Sequence, residues 1–378
     1  MIKLEIKNRI RNILVLSTGL FIISSSNASD PARFGTAGAP QLTINGWARS
    51  SGWGNANVSG VRGAESFYFN PAGLAKTRQT ELVFARTAWL LGTGININNV
   101  AFTQNIGKSG SDVIGISLMS YEIGNIQITT VQQPDGGLGT YRPSFMNLGF
   151  GYGKKFTDAI SGGIVTRLIQ EQIPDVKMVG VCFDAGVQYA TSSNPNSKLK
   201  KDDIKFGISL RNIGPSMTPS GDGLTRKSTI QGAGYESSMF SRADAVQFPA
   251  LIHIGGSYDI KLDRDEDVYF NRLTIGANYN YNNFSPNLTS IGLEYAYKEI
   301  FMVRTGYNFQ QGGFNYDTRN DALTGFSAGA SVEIPLAAKG NTENKSTIAI
   351  DYSYRSTNPF NGIHSFGLRI NIDSKGSK

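Results

Sequence analysis

The feature that most constrains this chain is a two-residue alternation of apolar and polar side chains, which recurs from about Thr80 almost to the C-terminus. In 346–355, Ile348, Ile350, Tyr352 and Tyr354 fall on one face and Ala349, Asp351, Ser353 and Arg355 on the other. In the last such segment Phe366, Leu368, Ile370 and Ile372 oppose Gly367, Arg369, Asn371 and Asp373. A period of two is that of a β-strand with one apolar face. Segments of this kind lie near 80–89, 95–106, 112–133, 141–156, 158–172, 177–191, 203–212, 248–260, 267–281, 288–298, 300–311, 322–336, 346–355 and 363–373, the third being long and kinked at Gly124. They number fourteen. An even count brings the C-terminus back to the side where the first strand begins.

A soluble β-sandwich also alternates, but it needs two sheets whose apolar faces meet. Here aromatics gather towards strand ends instead: Tyr279, Tyr281, Tyr352 and Tyr354 at one rim, Tyr258, Tyr295 and Tyr297 at the other. Two such belts are the interfacial girdles of a membrane-spanning barrel. A mean hydropathy of −0.21 fits, because each strand shows lipid only every second side chain. The expected fold is an all-β, transmembrane antiparallel barrel of about 14 strands over residues 80–373, with a periplasmic tail at 374–378. Long connections then sort to the outside, the 213–247 loop above all, and short or polar ones to the periplasm.

Residues 1–28 read as a secretory signal, with basic Lys3, Lys7, Arg9 and Arg11, an apolar Ile13–Ile23 stretch too short to span, and small Ser26-Asn27-Ala28 at the cleavage site. No cysteine follows, so a lipoprotein anchor is not expected. Removing the signal leaves 32 basic against 28 acidic residues, too even a balance for a nucleic-acid surface. The single cysteine, Cys182, excludes an internal disulfide and any cysteine-rich metal site. Neither cofactor nor metal is expected.

Residues 29–79 do not alternate. They are glycine-rich, carry Trp47 and Trp53, and end in Phe67-Tyr68-Phe69 followed by Asn70-Pro71-Ala72-Gly73, where Asn70 can cap a short helix with Pro71 at its first position. Three consecutive aromatics suit a plug folded into the lumen better than a hydrated tail.

Three motifs suggest other chemistry, and their context argues against it. Gly325-Phe326-Ser327-Ala328-Gly329, with Asp351 and His364 downstream, has the order of a hydrolase triad, but the alternation runs straight through Ser327 where a nucleophile elbow must turn. Gly149, Gly151 and Gly153 are spaced by two and share a strand face, where a close approach of the plug explains them better than a phosphate loop. The acidic run 263–267 reads as a solvated turn rather than a calcium site. No enzyme is expected.

A family resemblance covers nearly the whole mature chain. The run 48–56 (ARSSGWGNA), then Ala64-Glu65-Ser66, then 69–75 (FNPAGLA) is similar to the hatch of the FadL superfamily of outer-membrane barrels. The stretches 121–130 (YEIGNIQITT), 206–215 (FGISLRNIGP) and 290–309 (SIGLEYAYKEIFMVRTGYNF) resemble its PorV/PorQ family. This implies an outer-membrane, fourteen-stranded barrel with a hatch, set among outer-membrane lipid. It also implies a role in type IX protein secretion, binding secreted cargo, a sortase or a translocon subunit at the cell surface. The candidate contact is the 213–247 loop, through Pro219, Arg226, Lys227, Tyr235, Met239 and Phe240; a lid over the pore is the other reading of that loop. The alternative function is a FadL-like passive channel for hydrophobic molecules. The polar lumen face, with Arg211, Glu294, Asp351, Arg355 and Arg369, weighs towards partner binding, although Phe67, Tyr68 and Phe69 can supply an apolar pocket.

Overall fold

The computed structural model describes residues 31–106, 110–193, 202–229, 235–263, 270–310, 324–336, 346–357 and 360–373. The signal sequence and the tail at 374–378 lie outside these. The described strands are β1 (Thr80–Trp89), β2 (Ile95–Asn105), β3 (Asp112–Glu122), β4 (Ile126–Gln127), β5 (Thr140–Tyr141), β6 (Ser144–Lys155), β7 (Ile160–Ile173), β8 (Val176–Thr191) and β9 (Ile204–Ile213). There follow β10 (Thr225–Thr229), β11 (Glu236–Phe240), β12 (Leu251–Lys261), β13 (Asn271–Asn282), β14 (Leu288–Tyr297), β15 (Phe301–Gln310), β16 (Gly325–Pro335), β17 (Thr347–Arg355) and β18 (Ile363–Ile372). Fourteen of them form a closed barrel in the order β1-β18-β17-β16-β15-β14-β13-β12-β9-β8-β7-β6-β3-β2. Every barrel strand pairs antiparallel with its neighbours, and the Thr80↔Ile372 to Ala88↔His364 register joins the last strand to the first.

The alternation has the predicted sense. Along β17, Ala349, Asp351 and Ser353 are buried, while Ile350 is 62% and Tyr352 36% exposed. Along β18, Ser365 and Arg369 are buried and Phe366 and Leu368 exposed. Exposed Phe150, Ile164, Val187, Ile208, Leu293 and Val303 continue this apolar outer surface around the barrel. A contiguous apolar belt of that kind is a lipid-facing surface. Tyr152, Tyr189, Tyr295 and Tyr297, all exposed, ring the end where β1 starts. Tyr279 departs from the expected girdle, for it is buried.

Two expectations need correction. The long third segment ends at Glu122 rather than 133, because Gly124 turns the chain at φ +86°; only Ile126–Gln127 is extended beyond it, and it pairs with Thr140–Tyr141 as a short hairpin off the barrel. The segments that follow two loops begin late, at Ser144 and Leu251, just after Pro143 and Pro249, which have no N–H for the ladder. The 213–247 loop carries a hairpin, β10–β11, in which Arg226 faces Met239. The wall has one register shift, at Phe183/Ala185 in the β8–β9 pair. There Asn212 takes φ +59°, its N–H donates to the Asp184 carboxylate at 2.7 Å, and consecutive Arg211 and Asn212 are both buried. A bulge re-aims side chains in this way.

Candidate functional site

The lumen is occupied by the N-terminal segment, and its own sequence folds it there. Short turns at Pro40–Thr43, Ala48–Ser51, Ser66–Phe69 and Pro71–Lys76 compact it. Gly54 and Gly63 adopt positive φ between them. Asn70 caps the last turn as expected, with its Oδ1 accepting the Ala72 N–H at 3.1 Å and Pro71 in the first position. The same side chain holds the wall, because Asn70 Nδ2 faces the carbonyls of Val187 (3.1 Å), Ile208 (3.3 Å) and Val58 (3.3 Å). Pro71, Ala72 and Gly73 are buried with it.

Glycines make that approach possible. A Cβ at Gly163 would strike the Pro71 carbonyl, one at Gly306 the Trp53 carbonyl, and one at Gly207 would stand 2.7 Å from the Val58 oxygen. The Gly149-Gly151-Gly153 run serves as a bed for the N-terminal segment: Cβ atoms there would meet Phe67 at 3.4 Å, Phe67 at 2.8 Å and the Ala75 nitrogen at 2.6 Å. Phe67, Tyr68 and Phe69 are all buried. Arg167 donates to the Phe67 carbonyl, Ser209 to that of Phe69 at 2.7 Å, and the Tyr68 hydroxyl to the Thr43 carbonyl at 2.5 Å.

Two walls face this segment. On β13–β18 the charged residues form a chain: Arg272 to Glu294 (2.9 Å), Glu294 to Arg304 (2.5 Å), Arg304 through Ser331 to Asp351, and Arg369 to Asp351 (3.7 Å) and Glu333 (3.2 Å). The segment docks onto it, with Trp53 Nε1 donating to Glu294 at 3.1 Å. Across the barrel, β2 and β3 present Ile97, Ala101, Val113, Met119 and Tyr121, all buried, and no charged group between Val113 and Tyr121 on the lumen face. Ile169 and Cys182 continue this apolar lining on β7 and β8, where Leu42, Met217 and Phe248 pack on them. Ile97, Met119 and Tyr121 pack with Ile44 and Trp89. Beside this lining, on β7 to β9, Asp184 is bracketed by Arg167 at 2.7 Å and Arg211 at 3.8 Å, and the Arg211 guanidinium lies 4.2 Å from the Tyr68 ring centre.

All five lumen residues expected from the sequence, Arg211, Glu294, Asp351, Arg355 and Arg369, are buried inside. Glu294, Asp351 and Arg369 share one network, Arg211 belongs to the Asp184 cluster, and the Arg355 guanidinium lies 5.9 Å from the Trp89 ring centre. Sequence reasoning missed Arg167, Asp184, Arg272 and Arg304. Their signal was a charge at the inward parity within an alternating strand. Ser327 faces inward in an unbroken strand, with its hydroxyl 3.4 Å from the Gly52 carbonyl, whereas His364 pairs with Tyr352 at 2.9 Å; no triad forms. Of the 263–267 run only Asp263 is described, and it caps the Asn271 N–H at 2.6 Å.

Two cavities adjoin the segment. One of about 20 Å³ lies among Leu42, Trp47, Phe67, Tyr68 and Met119, with Arg167 and Arg211 at its edge. The other, about 650 Å³, opens at the end of the barrel where β1 starts. At the opposite end Met217 and Val246 exchange two backbone hydrogen bonds of 2.8 Å, and Gly38 N–H donates to Gln247 O at 2.8 Å, so the base of the 213–247 loop folds in over the segment. Its hairpin turns outward: Arg226, Lys227, Tyr235, Met239 and Phe240 are exposed and Pro219 half-buried.

The toluene transporter TodX of Pseudomonas putida is similar to this chain over 86% of its residues and 97% of TodX, at 11% identity and a TM-score of 0.51. A FadL homologue of Pseudomonas aeruginosa is similar over 87% of this chain and 98% of its own, at 12% identity and a TM-score of 0.47. No protein-family model and no curated protein matches the chain. The likeness to TodX is one of fold, and it agrees with the outer-membrane-type barrel expected from the alternation.

Proposed function

We propose that this protein is an outer-membrane channel for a hydrophobic small molecule, closed by its N-terminal segment. The observation that carries the reading is the apolar wall. From the outer rim, Tyr121, Ile97, Met119, Ile169 and Cys182 line a largely apolar track, with Glu171 at its rim and Arg167 and Arg211 at the small cavity beside Trp47, Phe67 and Tyr68 where it ends. Apolar lining with a few polar groups at its end is the composition of a site for an apolar ligand. A polar lumen argued against this role at first; the charges lie mostly on the other wall. The cavity itself has room for about one water, so a ligand enters only if the segment shifts. The test is uptake of labelled toluene by Gram-negative cells expressing the barrel. Met119→Arg, which puts a charge in the track, should abolish uptake while the barrel still assembles. Unchanged uptake would sink the proposal.

A second reading rests on the β10–β11 hairpin. Its exposed Tyr235, Met239 and Phe240 beside Arg226 and Lys227 are the composition of a protein contact, with aromatic and methionine anchors and a basic rim. It would suit a PorV/PorQ-like role in type IX secretion, with cargo, sortase or translocon as partner. Replacing 219–241 by a short Gly-Ser linker should then abolish capture of that partner and leave uptake of toluene intact; the channel reading expects no partner to be lost.

A further inference from the structure

The 650 Å³ cavity at the periplasmic end has no part in the apolar track, and its charge is unbalanced. Its acidic lining groups are largely engaged: Asp259 with Lys205 at 2.5 Å, Glu294 and Glu299 with Arg272 at 2.9 and 2.6 Å, Glu333 with Arg369. The N-terminal segment adds Arg49, Arg62, Lys76 and Arg78 to the same cavity, and none of the four makes an ion pair or side-chain hydrogen bond among the described residues. The Arg49 Nε is buried with no hydrogen-bond partner among the described residues. An unpaired buried donor of a charged group is costly, and an arginine among other cations more so. Burial, with Arg369 and Arg62 nearby, lowers Arg49 to about 10. Burial, with Lys205 and Arg62 opposing Asp202 and Asp259, lowers Lys76 to about 8.

We infer that this cavity is a binding site for a small soluble anion carrying phosphate or carboxylate groups, held by Arg49, Arg62, Lys76 and Arg78. Guanidinium and ammonium groups converging on one space recognise such oxygens with strong, charge-assisted hydrogen bonds. The cations come from separate parts of the lumen segment, Arg49 from the Ala48–Ser51 turn in its middle and Lys76 and Arg78 from the junction with β1. A bound anion therefore ties the middle of the segment to its junction with β1 at the periplasmic mouth and stabilises the closed barrel. This site is independent of what moves along the apolar wall.

The test is titration calorimetry of the full-length mature barrel in nonionic detergent, with pyrophosphate and, separately, citrate as probes. Saturable binding is expected, with affinity reduced about tenfold by R62Q/K76Q. Exposed Arg78→Gln gives a milder loss and does not depend on that double variant folding well. The charge-matched outer-loop variant R226Q/K227Q should bind as wild type. Absence of saturable binding of both probes, or equal losses at the two ends of the barrel, would overturn the inference.

Discussion

The two walls of the lumen are built from the same alternating strands, yet they hold the N-terminal segment by different physics. On β13–β18, Glu294, Arg304, Ser331, Asp351 and Arg369 form a hydrogen-bonded charge network that receives Trp53. On β2, β3, β7 and β8, Leu42, Trp47 and Phe67 pack on apolar side chains and glycines, and single hydrogen bonds add to this, from Asn99 to the Gly46 carbonyl, from Tyr121 to that of Gln41, from Arg167 to that of Phe67 and from Gln188 to that of Val58. Directional bonds fix a position, whereas apolar contacts tolerate sliding and repacking. The charged network on β13–β18 is thus the stiffer of the two contacts, and the apolar packing opposite it the more tolerant of repacking.

The largest expected effect is on the polar wall. Glu294→Ala strands Arg304 and deprives Arg272 of one partner, which should cost about 3 to 5 kcal/mol in unfolding of the detergent-solubilised barrel. Replacing the pair together, Glu294→Leu with Arg304→Met, should recover most of this loss. If the single and double variants lose equally, the network is not the anchor. Ile169→Ala on the apolar wall should cost about 2 to 4 kcal/mol by leaving a cavity, and it should speed toluene uptake rather than abolish it. Slower uptake in that variant would contradict the assignment of the walls.

Asn70 lies between the two walls, at the β8–β9 boundary. Asn70→Ala removes the cap and the contacts to the Val187 and Ile208 carbonyls, and should loosen the segment by about 1 to 2 kcal/mol, read as faster protease cleavage within residues 48–76. Cleavage unchanged from wild type would mean that the glycine bed alone holds the segment.

The smallest effect is one of pH. Burial raises the Glu65 carboxyl above its usual range, against the opposing pull of Arg49 and of the hydrogen bond from Ser50. A raised acid binds its proton more tightly in the docked state than when released, so docking is favoured below the ordinary carboxylate pKa and weakens as pH rises through the raised value. Protease protection of the segment should decline across that window in wild type, and Glu65→Gln should flatten the decline. A protection profile that rises with pH would refute the sign.

The barrel was legible in the sequence because lipid on one side and a packed lumen on the other impose strict parity, as in β9, β14, β17 and β18. Capping at Asn70 was legible because it is local chemistry. The apolar wall was not. In β2, Ile97 and Ala101 face inward while Val100 and Phe102 face lipid, so both faces are apolar and periodicity cannot tell them apart. Inward parity marks Arg167, Asp184 and Arg211 one by one, but that Arg211 meets Asp184 follows from the β8–β9 bulge, a tertiary feature with no local signature. The end of β3 was missed because Ile126, Ile128 and Thr130 keep alternating beyond Gly124 without joining the barrel.

The central claim is that the segment between the two walls closes the barrel. Conductance of the reconstituted protein in planar bilayers tests it most directly, comparing wild type with a variant lacking residues 48–76. The account predicts little current through wild type and a large ohmic conductance in the deletion variant, once both are shown to form heat-modifiable barrels. Equal conductance in the two would contradict it.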